Sequence, residues 1–205
     1  MAELTFYTNP QSRGQTVRWM LEELAQPYET VLLDYGTTMK APEYLAVNPM
    51  GKVPAIRHGN QVVTEAAAIC AYLVDAFPDA GLAPPLAERG DYHRWLFFTA
   101  GPTEAAITNA FMKVEPTDRQ KTMLGYGCMA DVVQALESAV AGKAFVAGDR
   151  FSAADVYVGS QIDFGLMFGT LPASPTLEAY VAPMRERAAY KRAKEIDAAL
   201  VPKAD

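Results

Sequence analysis

Glu3, Thr5 and Tyr7 alternate with Leu4 and Phe6 at the head of the chain, the period of two that predicts a strand over residues 3–7. From Arg13 to Ala25 the period changes. Val17, Met20, Leu21 and Leu24 recur at the i, i+3, i+4, i+7 spacing of an amphipathic helix. "QPY" breaks that helix, and "YETVLL" (28–33) predicts a second strand, parallel to the first because a helix connects them. A short helical piece follows around Pro42–Val47. "VPAIR" and "QVVT" flank "HGN", a hairpin signal, and Thr64 is placed to cap a helix whose apolar face carries Ile69, Leu73 and Phe77. "FPDAGLAPPL" (77–86) then interrupts all periodicity with proline and glycine. Beyond it the strand signal nearly vanishes. Segments near 87–115, 118–141, 152–168 and 176–199 carry helical periods, with kinks expected at Pro102 and Pro183. Thr117, with Gln120 three residues on, can cap the second of these, and Gly142 suits its exit.

This pattern divides the chain into an α/β domain over 1–78, a linker over 79–86 and an all-α domain over 87–205. The first part has the order β-α-β-α-β-β-α, which is that of a thioredoxin-like domain. Composition agrees: 205 residues, half of them hydrophobic, suffice for one large core or two small ones. A formal net charge of −6, with no Lys/Arg cluster interleaved with aromatics, argues against nucleic acid as a partner. The longest apolar stretches, such as "AAAICAYLV" (66–74), reach about half of a membrane span. The chain opens directly into a strand-like segment, without the pattern of a cleaved leader. A cytoplasmic protein with no membrane partner is expected. Cys70 and Cys128 lie in helix-like apolar surroundings and read as buried small hydrophobes rather than as a disulfide or catalytic thiol. His58 and His93 lack spaced acidic or cysteine partners, so no metal site is expected.

Three short stretches carry candidate chemistry. In "NPMGKVPAI" (48–56), Pro54 stands near the start of a presumed strand, where it cannot donate to a ladder. Either it is an edge-strand proline in trans, or the Val53–Pro54 bond is cis and leaves the Val53 backbone free to pair with an extended peptide. Its place after a loop and before a hairpin favours the cis bond. In "TEAAAI" (64–69), Glu65 falls in a first helical turn, where a carboxylate is favoured by the helix dipole. The alternative is that Glu65 binds a ligand ammonium while the free amides of the helix start receive a ligand carboxylate, an arrangement suited to an amino-acid headgroup. In "NPQSRGQTVRW" (9–19), Ser12 can cap a helix, with Gln15 completing a capping box, or serve chemistry at its positive end.

Taken in order, "FYTNPQSRG", "NPMGKVPAI", "TEAAAICAYL" and "FSAADV" (151–156) resemble the cytosolic glutathione transferases, and the two-domain plan covers essentially the whole chain. The resemblance implies transfer of the glutathione thiol, as thiolate, to an electrophilic, mostly apolar substrate, with glutathione as co-substrate and no resident cofactor. It also implies a homodimer. By the same resemblance Val53 pairs through its backbone with the cysteinyl part of glutathione, held open by Pro54. Glu65 takes the γ-glutamyl ammonium and the Ala66 backbone its carboxylate, without the second bond that a serine supplies in many relatives. Lys40 and Lys52 meet the glycyl carboxylate. The catalytic residue of the family is a Tyr, Ser or Cys near the first helix. Ser12 fits that place, Tyr7 lies slightly early, and no cysteine stands there. An apolar pocket is implied in the second domain, with candidates Phe97, Phe98, Phe111, Met112 and Phe164. Ser152 and Asp155 match the family's capping box. A glutathione-dependent peroxidase or reductase, and a non-catalytic binding or regulatory relative, are the alternatives on this fold.

Overall fold

A computed structural model describes residues 3–201. It divides into two compact units, one holding the chain up to Ala80 together with the residues from Glu186 on, the other holding Gly81–Arg185. In the first unit four strands, β1 (Leu4–Thr8), β2 (Glu29–Leu32), β3 (Ala55–His58) and β4 (Gln61–Thr64), form one mixed sheet in the order β2-β1-β3-β4. β1 runs parallel to β2, as a helical crossover requires, and antiparallel to β3. Helices α1 (Gly14–Leu24), α2 (Pro42–Leu45) and α3 (Ala66–Ala76) complete the predicted order. The period of two in β1 sorts its side chains to two faces. Leu4 and Phe6 are buried, whereas Tyr7 packs on the other side against a separate small cluster of Leu33, Met39, Tyr44, Val47 and Ala55.

The second unit is helical: α4 (Gly90–Phe98), α5 (Glu104–Phe111), α6 (Asp118–Met123), α7 (Met129–Val140), α8 (Ala153–Met167) and α9 (Pro175–Arg185). Pro102 sits inside a π turn over Thr99–Thr103 that joins α4 to α5, so the removed amide is accommodated by a widened turn. The single helix expected over 118–141 is broken at "LGYGC" (124–128), where Gly127 adopts a φ of 64°. The core of this unit is organised on α8. Asp155 accepts from the Ser152 amide (2.8 Å) and hydroxyl (3.0 Å), closing the expected capping box. The same carboxylate also accepts from the Val146 amide (2.7 Å) and the Tyr180 hydroxyl (2.8 Å), tying a loop and α9 to the start of α8.

The periodic segment near 176–199 is two helices, and the second, α10 (Ala188–Leu200), belongs to the first unit. The helical part expected over 87–205 therefore ends before α10. The cause is charge and shape matching to α1. Arg187 chelates Glu23 through Nε (2.6 Å) and Nη2 (2.7 Å), Arg192 reaches Glu22 (3.2 Å), and Tyr190 meets Trp19 edge-on at 5.0 Å. Beneath them the buried Arg18 donates to Asp197 (3.1 Å), Tyr28 (3.1 Å) and Thr30 (2.9 Å).

Candidate functional site

Register brings three distant stretches to one end of the sheet. Tyr7 pairs with Ala55 across β1 and β3, and Ala55 pairs with Thr64 across β3 and β4. That end therefore carries the loop leaving β1, the Val53–Pro54 step entering β3 and the Glu65–Ala66 step leaving β4.

The loop after β1 is organised by Asn9. Its amide donates to the Leu33 carbonyl (2.9 Å), its side-chain oxygen accepts from the Gln11 amide (2.9 Å), and its backbone carbonyl accepts the Ser12 hydroxyl proton (2.6 Å). Ser12 Oγ in turn accepts from the amide of Gly14, the first residue of α1, at 2.9 Å. Gly14 has to be glycine: a Cβ there would fall on Thr8 Oγ1 and lie 2.9 Å from Ser12 Oγ. The expected capping box between Ser12 and Gln15 is not formed. α1 begins at Gly14, so Arg13 holds the cap position and Gln15 is one residue too early to reach back. The Gln15 side chain turns instead to the Pro10 carbonyl (2.6 Å) and to Lys194 Nζ (2.8 Å).

The Val53–Pro54 bond is cis, as the sequence favours. The loop before it is stapled by Asn48, whose side chain accepts from the Met50 amide (3.1 Å) and donates to the Lys52 carbonyl (2.8 Å). Tyr44 donates to the same carbonyl at 2.5 Å, and burial pushes its phenol up to about 12 although the bond with Asn48 acts in the other direction, so it stays a donor. Val53 packs half-buried on the Tyr44 cluster. Lys40, just before α2, donates from Nζ to the Met50 carbonyl (2.9 Å) on the loop after α2, the loop that also carries Lys52, and both lysines are exposed. Tyr7 is half-buried with its ring centroid 5.6 Å from that of Tyr44.

At the third stretch the expected cap is displaced by one residue. Thr64 is the last residue of β4, and Glu65 stands before α3 with φ 66° and ψ 119°. A non-glycine residue in that region carries backbone strain. The first intrahelical bond of α3 runs from the Ile69 amide to the Glu65 carbonyl (2.8 Å), so the amides of Ala66, Ala67 and Ala68 precede any intrahelical acceptor. The exposed Glu65 carboxylate thus borders a patch of backbone donors at the positive end of a helix.

The other sequence candidates divide. Cys70 is buried, and burial pushes its thiol up to about 12, which keeps it protonated. Cys128 departs from the expectation. It is half-buried at the start of α7, with its amide 3.0 Å and its sulfur 3.2 Å from the Asp131 carboxylate, because the break at 124–128 turns it from a helix interior into a helix start. Phe164 is buried and stacks on Phe168, Phe98 is half-buried, and Phe97, Phe111 and Met112 are exposed. Among the described residues no three His, Cys, Asp or Glu side chains gather as metal ligands, and no helix is long and apolar enough to cross a membrane. Sequence reasoning missed Asn9, Asn48 and Lys194. The two asparagines each precede a proline, which marks a structured turn, whereas nothing local marks Lys194.

Comparison with known proteins gives a consistent picture. Residues 6–82 match the family model described as glutathione S-transferase, N-terminal domain. A glutathione S-transferase of Xanthomonas campestris pv. campestris, GST-4.5, is 25% identical over 162 residues, which are 76% of this chain and 79% of the relative. The crystal structure of a glutathione transferase from Methylococcus capsulatus strain Bath aligns at 28% identity with a TM-score of 0.76, over 96% of this chain and 99% of that one. A glutathione transferase homologue from Sulfitobacter, with bound glutathione, aligns at 25% identity and a TM-score of 0.74, over 96% and 99%.

Proposed function

The chain belongs to the glutathione S-transferase family, and from that premise we propose that it binds glutathione at the sheet end described above and holds its thiol as a thiolate for transfer to an electrophilic, mostly apolar substrate. In this reading Glu65 takes the γ-glutamyl ammonium and the Ala66 amide the adjacent carboxylate. The Val53 backbone, presented by the cis Pro54, pairs with the cysteinyl residue. Lys40 and Lys52 attract the glycyl carboxylate. The observation that carries the reading is Glu65: a residue held at φ 66° beside open helix amides is costly to fold and is explained by a ligand that needs both charges side by side.

Ser12 is the group proposed to face the thiol. A thiol of pKa about 8.5 is only about 3% ionised at pH 7, and lowering it by about two units makes it roughly three-quarters ionised. A hydroxyl can rotate its proton from the Asn9 carbonyl to a thiolate while its lone pair keeps the Gly14 bond. One such bond to an anion contributes ~1.5–3 kcal/mol, a large part of the ~2.7 kcal/mol that two units require. Cytoplasmic location and a homodimer accompany this reading.

Retention on immobilised glutathione with elution by free glutathione, followed by turnover of a generic aryl halide, is the expected result. Binding with turnover of an organic hydroperoxide alone would assign a peroxidase. Absence of binding would overturn the proposal.

A further inference from the structure

Gln15 joins the C-terminal helix to the loop that carries Ser12. Its side-chain oxygen accepts from Lys194 Nζ at 2.8 Å, and its side-chain nitrogen donates to the Pro10 carbonyl at 2.6 Å. The amide can sit only this way round, because an ammonium has no acceptor and a carbonyl has no donor. Pro10 stands between Asn9, whose carbonyl holds the Ser12 proton, and Gln11, whose amide is held by the Asn9 side chain. On this short loop the Ser12 hydroxyl is held from α1 by the Gly14 amide, and the Pro10 carbonyl is held by a side chain on the first turn of α1. The charge of Lys194 on the Gln15 oxygen polarises the amide and strengthens its donation to Pro10.

We propose that Gln15 and Lys194 are positioning residues for the Ser12 hydroxyl: Lys194 fixes Gln15, Gln15 fixes the Pro10 carbonyl, and the loop so held presents Ser12 to the thiol. This rests on the reading of Ser12 given above. It assigns α10 a part in the reaction rather than only in the stability of the first unit.

The test compares Lys194→Met, Lys194→Arg, Gln15→Leu and Ser12→Ala, alone and combined, by the pKa of enzyme-bound glutathione, kcat and KM, with the unfolding midpoint recorded alongside. Lys194→Met and Gln15→Leu should each raise the bound-thiol pKa by about half to one unit and lower kcat at neutral pH by about 1.5- to threefold, as the ionised fraction falls from roughly three-quarters, with KM for glutathione changed less than twofold. Lys194→Arg should restore most of both. The Gln15→Leu, Lys194→Met double variant should be no worse than the poorer single, since both act on one chain of bonds. In a Ser12→Ala background, Lys194→Met should shift the pKa no further. A shift of equal size in that background would show Lys194 acting on the thiol independently of Ser12 and overturn the proposal while leaving Ser12 in place. A lowered midpoint with unmoved pKa and kcat would make α10 a structural clasp and overturn it as well. An unchanged pKa in Ser12→Ala alone would overturn both readings together.

Discussion

Glu65 sets a fold requirement against a binding requirement within one residue. Its φ of 66° costs on the order of 1–3 kcal/mol that glycine would not incur. Glu65→Gly should therefore stabilise the first unit by roughly 1 kcal/mol in denaturant unfolding while glutathione affinity falls. Glu65→Gln leaves the backbone strained and removes only the charge. It should weaken binding by ~1.5–3 kcal/mol, about 10- to 150-fold by calorimetric titration, with stability moved by a few tenths of a kcal/mol. An unchanged dissociation constant would leave Glu65 without a ligand role. Ser12 is coupled to its neighbours differently, since its hydroxyl both donates to Asn9 and accepts from Gly14. Aspartate could replace the acceptor but would set a carboxylate against the Asn9 carbonyl, so alanine is the cleaner probe. Ser12→Ala should cost about 0.5–1.5 kcal/mol of stability. It should also move the alkaline-rising limb of the kcat profile up by about one pH unit, because less of the bound thiol is ionised at any given pH.

At the scale of elements, the start of α8 behaves as a junction. The Asp155 carboxylate accepts four bonds, from Ser152 twice, Val146 and Tyr180. Asp155→Ala should destabilise by about 3–5 kcal/mol, since it strands buried donors on three segments, whereas Ser152→Ala should cost ~0.5–2 kcal/mol. Specific activity per folded molecule should be unchanged in both. Burial raises the Asp155 pKa, outweighing the bonds it accepts, and the charge it bears in turn adds to the burial that raises Tyr180. The sign follows from linkage. With its folded pKa above the unfolded value, Asp155 binds more protons in the folded state, so its contribution is greatest below the unfolded pKa of about 3.9 and declines as pH rises through the folded one. The stability advantage of wild type over Asp155→Asn should accordingly narrow as pH is raised from about 4, then level off. An advantage that widens with pH would contradict this assignment.

For the whole molecule, the first unit is closed by residues from both ends of the chain. Arg18 and Asp197 form a buried pair, with Arg18 also lying 4.9 Å over the Phe6 ring. Burial raises the Asp197 carboxyl despite the neighbouring Arg18, so desolvation exceeds the attraction. Asp197→Ala should cost about 3–5 kcal/mol by leaving a buried guanidinium without its counter-ion. The double variant Arg18→Met, Asp197→Leu should recover much of that loss in thermal or urea unfolding. A double variant as unstable as the sum of the singles would mean that the two residues contribute independently and would contradict their assignment as a coupled pair.

The sequence alone determined what depends on near neighbours. Alternation in residues 3–7, the α1 stripe of Val17, Met20, Leu21 and Leu24, the hairpin around Gly59, the cis proline at Pro54 and the Ser152–Asp155 box are all formed. Their energetics involve groups a few positions apart, which a local pattern records. The tertiary structure decided the rest. It gave α10 to the first unit, because its partners Glu22, Glu23 and Arg18 lie at the other end of the chain. It drew Gln15 from a capping box to Pro10 and Lys194, and joined Asp155 to Tyr180. It also moved Glu65 into a left-handed backbone that no propensity favours, and it set three loops side by side through the pairing of Tyr7, Ala55 and Thr64. A long-range bond competes with a local one only once folding has brought the two segments together, and the outcome is set by burial and geometry that no short stretch of residues contains.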